Sequence, residues 1–341
     1  MNELAVHLAP RLAPPRAGWQ RSLAEAVSKP AELLDLLALD PALPALDFER
    51  LKNFPLRVPR SYVARMRRGD PRDPLFLQVW PQVAEALEQP GFALDAVGDL
   101  AKLKGGGLIH KYRGRALVIA TGACAIHCRY CFRRHFPYSD ALAARNAWRD
   151  TLDALAADAT IEEVILSGGD PLSLGDDKLS TFVESLGAMP HVRRLRIHTR
   201  LPVVLPERVD ERLLEWLQEL PLQKVVVIHA NHGNEIDGEV AGACARLRTA
   251  GATLLNQSVL LRGINDSADI LARLSESLFN AGVLPYYLHL LDRVQGTGHF
   301  EAEEETSQTL MRELNSRLPG YLVPRLVRES AGAPGKTPVP W

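Results

Sequence analysis

The stretch "ALVIATGACAIHCRYC" (116–131) joins two kinds of sequence. It opens on a short apolar run with β-branched residues, the pattern of a buried strand. Three cysteines follow directly, Cys124, Cys128 and Cys131, in the spacing C-x3-C-x2-C. A strand ending in a loop of thiols predicts a metal or redox centre at the strand's C-terminal end. Three thiolates are one fewer than the four protein ligands of a structural zinc site or an ordinary iron–sulfur cluster. Two readings stay open on the residues alone. One is a zinc or redox site completed by His127, His135 or Cys244. The other is a [4Fe–4S] cluster whose unique iron is left for a small molecule.

Downstream, similar runs recur: "EEVILSGG" (162–169), "RRLRIHTR" (193–200), "KVVVIHAN" (224–231), "ATLLNQSVLL" (252–261) and "PYYLHLL" (285–291). Their starts lie 31, 31, 28 and 33 residues apart, the length of a strand plus a helix. Amphipathic stretches such as "DKLSTFVESLGA", "ERLLEWLQEL" and "EVAGACARLRTAG" supply the helices, the last with a stop signal at Gly251. Repeated βα units predict an α/β fold with a parallel sheet, either an open doubly wound sheet or a complete or partial barrel. In each architecture ligands collect at the C-terminal ends of the strands. The polar residues expected there are Ser167–Asp170, His198–Arg200, His229–His232, Gln257, His289 and Asp292. Cys244 falls inside a helical pattern, where a small buried side chain is the expectation.

Upstream, residues 1–95 read as a helical, proline-punctuated attachment, with helical spacing at 31–40 and 82–89 and no catalytic constellation. The barrel or sheet is expected over 96–320, and 321–341 forms a C-terminal segment. The first residues contain prolines and no continuous apolar core, so no signal peptide is expected. No run approaches a membrane span. The 341 residues carry a formal net charge of −1, which gives no global argument for nucleic acid or an acidic membrane as partner. Only four cysteines occur, and three share one motif, so a reducing cytoplasmic location is expected rather than a disulfide framework.

The cysteine spacing, with Tyr130 before the last cysteine, resembles the signature of the radical S-adenosylmethionine (SAM) superfamily. The resemblance implies a [4Fe–4S] cluster on Cys124, Cys128 and Cys131, with SAM on the open iron and cleaved to a 5′-deoxyadenosyl radical. "SGGDPL" (167–172) is by itself a turn sequence, but it resembles the superfamily motif that contacts the SAM amino group, which marks Ser167, Gly168, Gly169 and Asp170. Glycines there would let backbone approach a ligand closely.

From about residue 105 onward the chain is similar to the lysine 2,3-aminomutase family. The likeness rests on "HKYRGRALVIATGACAIHCRYCFRRHF", "LSGGDPL", "RLPVVLPERV", "HANHGNE", "NQSVLLRGIND", "PYYLHLLD" and "PGKTP", in the family's order. It implies a partial parallel (β/α)6 barrel, pyridoxal 5′-phosphate (PLP) as a further cofactor, and lysine as substrate. Lys336 matches the lysine that forms the Schiff base with PLP, and Arg133 the arginine that pairs with the substrate α-carboxylate. Lys111 and Arg115 match positions near the PLP phosphate, and His229 and Gln257 match contacts to SAM. Asp292 matches one of two carboxylates around the ε-ammonium. The second position is Glu329, where the family's lysine enzymes carry aspartate. That exchange, and an end at Trp341 five residues past Lys336, resemble the branch that makes (R)-β-lysine for modification of elongation factor P. An external reductant such as a flavodoxin or ferredoxin, and a functional link to elongation factor P and its modifying ligase, are implied partners. A free-standing aminomutase for lysine or another amino acid, and a zinc or iron–sulfur binding protein without radical turnover, are the competing expectations.

Overall fold

The apolar runs assemble into one sheet whose strands pair in chain order. In this computed structural model the described residues are 18–46, 48–138, 142–143 and 148–341. Among them the strands are β1 (Leu103–Lys104), β2 (Leu108–Tyr112), β3 (Arg115–Thr121), β4 (Glu163–Gly168) and β5 (Arg194–Thr199), followed by β6 (Gln223–Ile228), β7 (Ala252–Val259), β8 (Leu284–His289), β9 (Arg325–Arg328) and β10 (Thr337–Pro338). Strands β3 to β9 are parallel, whereas β1, β2 and β10 join antiparallel at the edges. The sheet runs from β1 to β10 without closing on itself, so the barrel is partial.

The predicted runs are β3 to β8, each followed by a helix: Arg149–Ala157, Asp176–Gly187, Glu211–Glu219, Gly238–Thr249, Ala268–Asn280 and Glu304–Arg317. Local chemistry sets several of the starts. The side chains of Asp210, Asp237 and Ser267 accept backbone N–H groups of Leu213, Val240 and Ile270 and so cap three helices. Helix Gly238–Thr249 buries Val240, Ala243, Cys244 and Leu247, a helical stripe turned to the sheet. Cys244 is thus a core side chain, far from the role of a ligand.

Two expectations change. The strand β9 adds a seventh parallel strand from the segment 321–341. It has four residues with only Leu326 and Val327 buried, too short to show a period. The helix expected over 82–89 is a single 3-10 turn, Val83–Ala86. Pro81 and Pro90 bracket it, and so short a window cannot repay helix nucleation. The N-terminal region otherwise folds into short helices, among them Gly18–Ala24, Pro30–Leu37, Arg60–Val63 and Pro74–Leu77, and a bridge between Val27 and Val58. Trp19, Leu33, Tyr62 and Phe76 share one apolar core with Leu201, Val204 and Leu254 of the barrel.

Candidate active site

A cavity of about 520 Å³ opens at the C-terminal ends of the parallel strands, within the usual size for a small-molecule site. The fifteen residues given a role by the family resemblance line it: the three cysteines, Ser167–Asp170, His229, Gln257, Lys111, Arg115, Arg133, Asp292, Glu329 and Lys336.

The cysteine loop forms one wall. Its backbone is hung on the N-terminal region, with His127 N–H donating to Arg57 O at 3.0 Å and Arg129 N–H to Gln78 O at 2.9 Å. Side chains brace it further. The buried Arg129 donates from Nε to Glu85 at 2.8 Å, and Arg134 reaches the same carboxylate at 2.6 Å. Arg200 donates to Cys128 Sγ at 2.6 Å and to Glu235 at 2.7 Å, while Gln78 Oε1 accepts from it at 2.8 Å. The residues considered as a fourth ligand are engaged elsewhere. His127 Nδ1 lies 2.8 Å from Pro55 O with its ring stacked on Phe54, and His135 Nε2 lies 3.1 Å from Gln295 O.

The end of β4 presses against this loop. Gly169 N–H donates to Thr121 O at 2.7 Å and Asp170 N–H to Ala123 O at 2.8 Å. A Cβ on Gly169 would stand 2.4 Å from Ala123 O, so the glycine lets two protein backbones approach closely here. Asp170 is held from several sides. Its carboxylate accepts from Leu172 N, Thr199 Oγ1, Arg200 N and Leu201 N at 2.7–3.1 Å. With both oxygens occupied by protein donors, Asp170 ties the exits of β4 and β5 together.

Further along the rim, β5, the residue after β6, β7 and β8 each contribute a buried side-chain nitrogen without a protein partner: His198 Nε2, His229 Nε2, Gln257 Nε2 and His289 Nε2. Orphaned polar atoms are costly unless a ligand or water pairs them. Burial, and then the charge of Arg200, lower His229 to about 4, so its imidazole is neutral. His198 and His289 are also lowered, mainly by burial.

The opposite wall is charged. Lys336 Nζ donates to Glu329 Oε2 at 2.8 Å, and the Tyr112 phenol donates to Glu329 Oε1. Lys111 lies 2.6 Å from Asp99, and Arg133 donates to Asp99 at 2.7 Å and to Ser167 Oγ at 2.9 Å. Arg115 stands over the Tyr112 ring at 4.7 Å. Burial raises Asp292 to about 7. The Lys336 charge opposes that shift and the Glu329 charge adds to it.

With this geometry in view, known proteins give it a family. Residues 118–274 match the family model for the radical SAM superfamily. The L-lysine 2,3-aminomutase of Escherichia coli (strain K12) is 47% identical over 98% of this chain and 97% of its own. The Haemophilus influenzae protein of the same name is 47% identical over 94% of each chain. This chain belongs to the lysine 2,3-aminomutase family of the radical SAM superfamily. It is an isomerase of the aminomutase type. A solved radical SAM methyltransferase from Sphaerobacter thermophilus superposes with a TM-score of 0.48 at 17% identity, covering 66% of this chain and 71% of that one.

Membership implies a [4Fe–4S] cluster and SAM, and the residues suit both. Burial, and then the other cysteines, push the Cys124 thiol well up and Cys131 up to about 11. Bound iron would supply the positive charge such thiolates need. The unpartnered His229 and Gln257 nitrogens fit a polar ligand beside the loop. For PLP, an amine at Lys336 and cations at Lys111 and Arg115 face the same space. Sequence reasoning missed Asp99, Tyr112, Gln78 and Glu85. Asp99, Gln78 and Glu85 lie in loops and short elements where no period marks a side chain as inward, and Tyr112 ends the antiparallel strand β2, outside the parallel strand ends. No helix among the described residues is long and apolar enough to cross a membrane.

Proposed function

We propose that this enzyme is a PLP-dependent lysine 2,3-aminomutase converting (S)-α-lysine to (R)-β-lysine in the cytoplasm, for β-lysylation of elongation factor P. The observation that carries this reading is the Lys336–Glu329 pair. A primary ammonium on a four-carbon arm rests 2.8 Å from the carboxylate assigned to the substrate's far end, with the partly buried Asp292 in electrostatic reach of both. Lysine offers the same ammonium on the same arm. Glu329 in the position expected to hold aspartate supports the elongation factor P branch over the other lysine enzymes.

When bound, the cluster and SAM supply a hydrogen-abstracting radical, and PLP supplies a π-system for the migrating nitrogen. The chain's own residues supply orientation. Arg133 offers its fork to the α-carboxylate, and Asp292 and Glu329 hold the ε-ammonium. Fixing both ends of a flexible substrate presents one carbon to the radical source. Lys336 holds PLP, and committing its nitrogen there frees Glu329 for the substrate. Lys111 and Arg115 hold the phosphate. Ser167, the Gly168–Gly169 backbone, His229 and Gln257 hold SAM. The apolar Leu117, Ile165 and Val259 line the cavity and exclude water. A flavodoxin or ferredoxin supplies the electron.

The test is anaerobic reconstitution with iron, sulfide, SAM, PLP, reductant and (S)-lysine, followed by chiral analysis of the product. (R)-β-lysine is expected, and cleavage of SAM with lysine recovered unchanged overturns the reading. Lys336→Ala should abolish both the visible absorbance of bound PLP and β-lysine formation. Adding elongation factor P and its modifying ligase should move the product onto that protein.

A further inference from the structure

Asp99 joins two parts of the site that the sequence treats as separate. It lies before β1, with its side chain 4% exposed. Its backbone is pinned by Asp95, whose two oxygens accept the N–H groups of Asp99 and Leu100 at 3.0 Å each. One Asp99 oxygen stands 2.6 Å from Lys111 Nζ, and the other accepts from Arg133 Nε at 2.7 Å.

The donors left over are the informative part. An ammonium has three N–H groups. Lys111 gives one to Asp99 and one to Val97 O at 2.8 Å, and keeps one back, with Glu329 Oε1 at 3.7 Å too far for a hydrogen bond. A guanidinium has five. Arg133 gives Nε to Asp99 and one NH1 hydrogen to Ser167 Oγ, which leaves three donors, one on NH1 and two on NH2. Each cation therefore retains the donors that an incoming anion needs. Two cations held close together and largely out of water would repel each other and pay desolvation, so one shared carboxylate lets both stand ready for their anions. Burial alone would raise the Asp99 carboxyl, but Arg133 and Lys111 override it and hold it below the usual value.

We propose that Asp99 is the positioning residue that couples the two anion subsites, aiming Arg133 at the substrate α-carboxylate and Lys111 at the PLP phosphate. This rests on the function proposed above and adds a residue that binds neither ligand. With the reconstituted protein, Asp99→Asn should weaken PLP binding and raise KM for lysine together. Each change should be about tenfold or more, as for loss of a charge-assisted hydrogen bond. kcat should change less, and iron content should stay at the wild-type level. Asp99→Glu should restore part of both affinities. Unchanged PLP affinity and KM in Asp99→Asn, or a loss confined to kcat and iron, overturns the proposal.

Should Asp99→Asn not fold, Lys111→Met decides. Left with one partner, Asp99 draws more of Arg133 to itself, so KM for lysine should rise several-fold at saturating PLP. An effect on PLP alone overturns the coupling. Wild-type protein that neither binds PLP nor converts lysine sinks the function proposed above instead, which keeps the two failures apart.

Discussion

Asp292 is a carboxyl whose burial sets a pH dependence. Its ordinary value is 3.8, and in the folded chain it is raised to about 7, by burial first and then by the Glu329 and Asp99 charges, against Lys336 and Lys111. Between those values the unfolded chain has released this proton while the folded chain keeps it. The folded state binds more protons, so this group's contribution to stability is present below the unfolded value and lost as pH rises toward 7. Denaturation of the ligand-free protein should therefore show a stability decline over that window, and Asp292→Asn should flatten it. A substrate ammonium prefers the ionised carboxyl, so KM for lysine should fall as pH rises through about 7. An unchanged slope in Asp292→Asn would place the effect on another group. Motif and resemblance made Asp292 legible. Asp99 was not, because its partners Lys111 and Arg133 become neighbours only through the pairing of β2 with β3 and the path of the cysteine loop.

At the scale of elements, the contact between the end of β4 and the cysteine loop decides how rigidly the cluster ligands are held. Gly168 has φ of +120° and Gly169 leaves no room for a Cβ. Gly169→Ala would drive Ala123, next to Cys124, away from β4. Such overpacking costs about 1–3 kcal/mol, and iron retained after reconstitution should fall while PLP absorbance persists, since Lys336 stands on the other wall. Equal loss of both would mean general misfolding. The glycine pair was legible as a turn, and the neighbouring strands as strands, because 31-residue spacing is a local property of the chain. Which surface the glycines serve was not legible, since the contact joins residues from two different βα units. The same holds for β9, whose four residues become a strand only because β8 offers an edge.

At the scale of the molecule, the N-terminal region and the barrel form one apolar core. Its helical texture was legible in the sequence, but its task was not, because none of its residues carries a motif. The structure ties it to the site through Gln78. That residue follows the helix Pro74–Leu77, accepts the Arg129 N–H and joins Arg200 to Glu235, all within the brace around Cys128. Phe76, fully buried and stacked on Trp80 with centroids 5.1 Å apart, anchors that helix. Phe76→Ala should cost about 3–5 kcal/mol from lost contacts and an unfilled cavity. If region and barrel are one cooperative unit, unfolding in denaturant stays a single transition with its midpoint lowered, and intrinsic fluorescence and circular dichroism move together. An independently folding region would instead give two transitions, with only the weaker one displaced. The cluster should respond in the first case alone. Loosening Gln78 frees the loop that carries Arg129 and releases Arg200 from its place beside Cys128, so iron content falls in parallel with stability. A variant that loses stability yet retains full iron would separate the brace from the core and assign cluster retention to the loop's own contacts with β4.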